Sequence, residues 1–116
     1  MEEIYQIIRH LGVTDKYKGY HYTAEAVLLA LRLKDTSMRV TKDIYPRLAA
    51  SHKVTANSIE HAIRTIVDVA WNKSRRSLEE IAGKPLAYKP PNAEFIAMLT
   101  YYISDRGSNH NSSNGI

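Results

Sequence analysis

Apolar residues recur along this chain at intervals of three and four, the spacing that lines one face of a helix. Ile4, Ile7, Ile8 and Leu11 form the first such set, and Gly12 stands where a helix stops. Residues 13–18 (VTDKYK) read as a loop. Ala24, Val27, Leu28 and Leu31 mark a second helix, starting between Lys18 and Thr23 and running to about Asp35. After a connection over 35–41 (DTSMRVT), Thr41 is placed to cap a third helix with Ile44, Leu48 and Ala49 on its inner side. Pro46 falls past the first turn of that helix, where proline is no longer harmless, so a slight bend is expected near its start. Asn57 and Glu60 have capping-box spacing, with Asn in place of Ser or Thr, and open a long fourth helix to about Lys73. A short fifth helix covers Leu78 to Ala82 and ends at Gly83. KPLAYKPP at 84–91 is a linker, and Asn92 caps a last helix through Phe95, Leu99, Tyr102 and Ile103. No segment alternates as a strand does. The pattern predicts an all-α domain over residues 1–106, a compact bundle of about six helices. GSNHNSSNGI at 107–116 is too polar to repay its ordering entropy and is expected to be a disordered tail.

The stretch from Leu48 to Arg64, LAASHKVTANSIEHAIR, carries a second pattern. A helix-turn-helix needs a hydrophobic and then a small residue where its helices cross. It also needs an apolar anchor after a tight turn and apolar contacts along the second helix. Leu48 and Ala49 supply the crossing, Val54 the anchor, and Ile59, Ala62 and Ile63 the second helix. Lys53 stands where a left-handed residue, often Gly, is favoured. A plain helical corner shares these features. Projected at about 100° per residue, the fourth helix gathers Ile59, Ala62, Ile63, Ile66 and Ala70 on one face. Asn57, Glu60, His61, Arg64, Thr65, Asp68 and Asn72 lie on the other. Those outer residues are mostly short or planar hydrogen-bonding groups, suited to base edges in a major groove. Residues at the start of a recognition helix reach deepest. Asn57, Ser58, Glu60, His61, Arg64 and Thr65 are therefore the candidate base-facing residues. Plainer readings stand beside this one: Glu60 and Arg64 are an i,i+4 pair, Asn57 a cap, His61 a surface histidine. Trp71, at the border of the apolar face, is expected in the core.

Charge points to the same stretch. The chain carries +4 overall with pI near 9.4. Residues 42–76 hold seven basic side chains against three acidic ones, so their surplus equals the net charge of the whole chain. A basic segment in a balanced chain is the footprint of phosphate contact, although a Lys/Arg-rich solvated surface looks the same. Lys42, Arg47, Lys53, Lys73, Arg75 and Arg76 are the candidate phosphate contacts.

Other classes are disfavoured. The absence of cysteine excludes a disulfide framework, a thiolate zinc site and a cysteine nucleophile. No apolar run of about 18 residues exists to span a membrane. Met1-Glu2-Glu3 is acidic where a signal peptide is basic, so a cytoplasmic protein is expected. The five histidines show no metal-ligand spacing, and no glycine-rich phosphate motif is present. Glu79 and Glu80 are adjacent and point to different sides of a helix. No catalysis, cofactor or metal is expected.

Several segments together resemble one family. They are IIRHLGV at 7–13, KGYHY at 18–22, TKDIYPRLA at 41–49, IEHAIR at 59–64, VAW at 69–71 and EFIAM at 94–98. In this order and spacing they resemble the C-terminal DNA-binding domain of stage-zero sporulation protein A, the response regulator that starts endospore formation. The resemblance implies six helices, with the helix-turn-helix at the third and fourth. It implies binding of double-stranded DNA at directly repeated promoter boxes, with head-to-tail protomers and contact to the RNA polymerase sigma factor. Glu60 and Arg64 stand where that family places DNA-facing residues. Ser58 and His61 stand where arginines are expected, which removes bidentate guanine contacts of about 1–3 kcal/mol each. The family's full-length protein carries a phosphorylated receiver, and these 116 residues hold none. Two alternatives remain open: a protein-interaction module derived from a helix-turn-helix, acting as adaptor or antagonist, and a DNA-binding domain of changed specificity.

Overall fold

The second helix is apolar almost all the way round, and such a helix belongs in the middle of a bundle. In the computed structural model, α2 (Gly19–Arg32) is that centre, packed against helices before and after it. The structure describes the backbone of residues 1–33 and 40–115 and the side chains of 1–33 and 42–106. The other helices are α1 (Glu2–His10), α3 (Tyr45–His52), α4 (Ala56–Lys73), α5 (Arg75–Ala82) and α6 (Asn92–Gly115), with a π-turn (Val40–Ile44) leading into α3. No strand occurs among the described residues. The fold is therefore the expected all-α bundle of six helices.

One core joins all six. Ile4, Ile7, Ile8 and Leu11 of the first segment meet Ala24 and Val27 of α2, Leu48 of α3, Ile59, Ile63 and Ile66 of α4, Leu78 of α5, and Phe95, Ile96 and Leu99 of α6. Burial of these side chains contributes about 1.5–3 kcal/mol each and is the main force closing the bundle. Trp71 is half-buried against this core, as its position predicts. Gly19 shows how tightly α2 meets α4. A Cβ there would lie 2.3 Å from the Ala62 carbonyl oxygen and 2.6 Å from Ile66 Cγ1, so only glycine permits the approach.

Four helix ends differ from expectation, and a fifth falls partly outside the described residues. α2 begins at Gly19 and its helical residues end at Arg32, while the expected extension to Asp35 and most of the 35–41 connection lie outside the described residues. Thr41 does not cap α3: it falls inside the π-turn, and α3 starts after Ile44. The cause is Pro46. It has no N–H to give the Lys42 carbonyl, so an α-helix cannot run through it. The chain takes a wider turn first and restarts with Pro46 in the first α-turn, in place of a bend. Asn57 is not the cap of α4. Thr55, in extended conformation, accepts from the Ser58 N–H at 3.0 Å, which makes Asn57 the second helical residue. α5 starts at Arg75 and not at Leu78, and it ends at Gly83 as expected, with φ 76°. Asn92 is the first residue of α6 and not its cap; the Pro91 carbonyl accepts from Phe95 N–H at 2.9 Å. The expected disordered tail falls on residues 107–116, whose side chains lie outside the description.

Candidate nucleic-acid interface

α3 and α4 are joined by a tight turn with a definite hydrogen-bond pattern. Val54 N–H donates to the Ala49 carbonyl at 3.0 Å and Lys53 N–H to the Ala50 carbonyl at 3.4 Å. This is a Schellman closure, which requires a left-handed residue just past the helix. Lys53 supplies it at φ 56°, ψ 45°, the position where the sequence indicates a left-handed residue. Leu48 and Ala49 are buried at the helix junction, as expected of a crossing. Val54 is different. Its side chain is 38% exposed, so it does not anchor the turn in the core; backbone hydrogen bonds hold the turn instead.

The outer face of α4 matches its projection. Ile59, Ile63, Ile66, Val67 and Ala70 are buried, while Ala62 is half-buried beneath Gly19. Asn57, Ser58, His61, Arg64 and Thr65 are exposed, and Glu60 is half-exposed. Their hydrogen-bonding states divide them. Glu60 and Arg64 form an ion pair. The Ser58 hydroxyl lies 2.9 Å from that of Thr55, and Thr65 donates to the His61 carbonyl at 3.2 Å. Among the described residues Asn57 and His61 find no side-chain hydrogen bond. Freed from capping, Asn57 presents its whole amide to solvent.

The two edges of this face are built differently. On one edge Asn92 Nδ2 donates to the Glu60 carbonyl at 2.9 Å and to the Tyr45 hydroxyl at 3.0 Å, tying α6 to α3 and α4. Burial pushes the Tyr45 phenol above its ordinary pKa; the Asn92 hydrogen bond opposes this, and the Glu60 carboxylate adds to it. Further along α4, Lys89 of the linker pairs with Asp68. On the other edge a shallow groove separates Asn57, His61 and Thr65 from Lys16, Tyr17 and Lys18 of the α1–α2 loop. Counting charge by long segments conceals these two lysines, because the rest of the chain balances. The signal that could have found them is local: DKYKG places two cations just before the glycine that touches α4.

The candidate phosphate contacts do not form one cluster. Lys42, Arg47 and Lys53 are exposed on the π-turn, α3 and the turn that follows. Lys73, Arg75 and Arg76 sit at the opposite end of α4, which by its rise per residue lies about 24 Å from Asn57. The Lys73 stem runs toward Gly12, away from the outer face, with its Cβ 3.7 Å from where a Gly12 Cβ would lie. Arg75 stacks its guanidinium 4.0 Å from the Trp71 ring centroid and donates to the Leu86 carbonyl at 2.7 Å. Glu79 accepts from the Leu86 N–H at 2.8 Å, so the two side chains clamp the linker to α5. His52 is also structural: its Nε2 donates to Glu25 at 2.9 Å, fixing the end of α3 to α2. Among the described residues no three His, Asp or Glu side chains come together to hold a metal, and no helix is long and apolar enough to cross a membrane.

Fold and surface together define an all-α domain with a polar helix face edged by cations. The chain matches the family described as sporulation initiation factor Spo0A C terminal over residues 4–103, and it belongs to that family. The family is a DNA-binding effector domain.

Proposed function

We propose that this domain regulates transcription by laying α4 into the major groove of directly repeated promoter boxes, with α3, the turn and α4 acting as a helix-turn-helix. The observation that carries this is the outer face of α4. Asn57 and His61 are exposed there beside Arg64 and Thr65, and their side chains have no hydrogen-bond partner among the described residues. Asn57, Ser58, Glu60, His61, Arg64 and Thr65 face base edges. Lys42, Arg47 and Lys53 hold the backbone near the turn. Lys73, Arg75 and Arg76 reach phosphate only at the far end of α4, and Arg75 only on leaving Trp71. Phosphate contacts position the domain, and base contacts specify its site. Repeated boxes place protomers head to tail, and the sigma factor of RNA polymerase is the proposed protein partner.

Fluorescence anisotropy with a duplex carrying the family's repeated box, beside a scrambled duplex, tests this. Specific readout gives at least about 10³-fold tighter binding to the box. Arg64→Ala then costs about 1–3 kcal/mol on the box and little on the scrambled duplex. Equal binding to both duplexes refutes specific readout of that box. A second reading, an interaction module for another regulator, draws on Tyr88 and Tyr101, which are 68% and 76% exposed around a groove between α5 and α6. Absence of DNA binding even at low salt favours it.

A further inference from the structure

We propose, building on the DNA-facing reading of α4, that the α1–α2 loop is a second DNA contact. Lys16 and Lys18 grip phosphates of the strand bordering the groove that α4 enters. Position comes first. Both lysines stand across a shallow groove from Asn57, His61 and Thr65, on the open edge of the α4 outer face. A helix with its side chains is about 10–12 Å across and fills a major groove about 12 Å wide. Loops that rise beside such a helix meet the phosphates on the groove's rim.

Charge comes second. Among the described residues Lys18 has no ion-pair partner, and Lys16 has only the Tyr17 ring, 5.6 Å from its Nζ. Asp15, the acid next to them in the chain, is exposed and pairs with neither. Lys89, the cation that reaches α4 from the 84–91 linker, is instead held by Asp68. Lys16 and Lys18 are thus free to meet phosphate beside α4, and Lys89 is not.

Rigidity comes third. The loop is closed by Tyr17 N–H to the Thr14 carbonyl at 3.2 Å and Tyr20 N–H to the Tyr17 carbonyl at 3.1 Å. Gly19, directly after Lys18, sits against the Ala62 carbonyl with no room for a Cβ. The height of the loop over α4 is therefore set by packing, and its backbone needs no ordering on binding.

The test compares the intact domain with the Lys16→Ala/Lys18→Ala variant by anisotropy on box and scrambled duplexes, from 50 to 200 mM salt. Two lost phosphate contacts lower the slope of log K against log salt by about 1.8, so the variant's deficit shrinks about twelvefold across that range. The deficit is the same on both duplexes. Lys16→Arg/Lys18→Arg keeps the slope, and Lys84→Ala, on the groove between α5 and α6, leaves it unchanged. An unchanged slope in the double alanine variant, while the parent binds DNA, overturns the loop contact and leaves α4 readout standing. A loss confined to the box duplex also overturns it, since the lysines would then read bases. Failure of the parent to bind any duplex removes the reading of α4, and the loop contact with it.

Discussion

Lys53→Gly separates the stability of the α3–α4 turn from its function. Lys53 is the only non-glycine described with positive φ, at 56°. A left-handed conformation costs an L-residue about 1–2 kcal/mol, because its Cβ crowds the carbonyl that follows. Glycine escapes that cost but gives up about 0.5–1 kcal/mol through the greater freedom of its unfolded chain. The side chain is exposed and has no partner among the described residues, so nothing else is lost on the folded side. The difference makes the glycine variant more stable by about 0.5–1 kcal/mol. In a domain of this size that is a rise in Tm of about 2–6 °C, read by circular dichroism. DNA binding moves the other way. Loss of one phosphate contact weakens all sequences alike and lowers the salt slope by about 0.9. An unchanged or lower Tm refutes the strain at Lys53. A higher Tm with an unchanged salt slope refutes the phosphate contact and leaves the strain intact.

Further predictions test the packing beneath this face. Gly19→Ala gains up to about 1 kcal/mol in helix propensity, but its Cβ meets the Ala62 carbonyl oxygen at 2.3 Å and pushes α2 from α4. Overpacking wins, with a net loss of about 1–3 kcal/mol in urea unfolding, and a gain in stability would show that the helices can part freely. Thr23 is fully buried and its hydroxyl meets no partner among the described residues, so Thr23→Val keeps the shape and stabilises the domain by about 1 kcal/mol in urea unfolding; a fall would reveal a hidden hydrogen bond. The raised pKa of Tyr45 means that the folded domain keeps its phenol proton where the unfolded chain loses it. This contribution is complete below the ordinary value of 10.0 and is lost as pH rises above it. Tyr45→Phe therefore shows a shallower loss of Tm above that pH than the parent, and parallel curves would contradict the assignment.

Helix number, order and the α4 face were legible in the sequence because each depends on local periodicity. Ile59, Ile63, Ile66 and Ala70 recur on one side whatever the rest of the chain does, and burial follows. The left-handed turn at Lys53 was legible too, since a short connection between two such helices requires one residue there. Helix ends were less so. Thr41, Thr55 and Asn57 all have side chains able to cap, and which does is decided by where neighbouring turns close. Pro46 announced a conflict, but only the folded chain shows it resolved by a π-turn. Val54 looked like an anchor because it stands where a helix-turn-helix places its apolar turn residue, yet hydrogen bonds between Ala49, Ala50 and the turn made that unnecessary. Basic residues close in sequence proved dispersed: Arg75 belongs to Trp71 and Leu86, and Lys73 leans toward Gly12. Lys16 and Lys18, distant in sequence from α4, stand beside its outer face. Periodicity is a property of neighbours along the chain, so the sequence alone determined which face of each helix is buried. Which faces share one surface depends on contacts between distant segments, such as Gly19 against Ala62, and only the tertiary structure decided that.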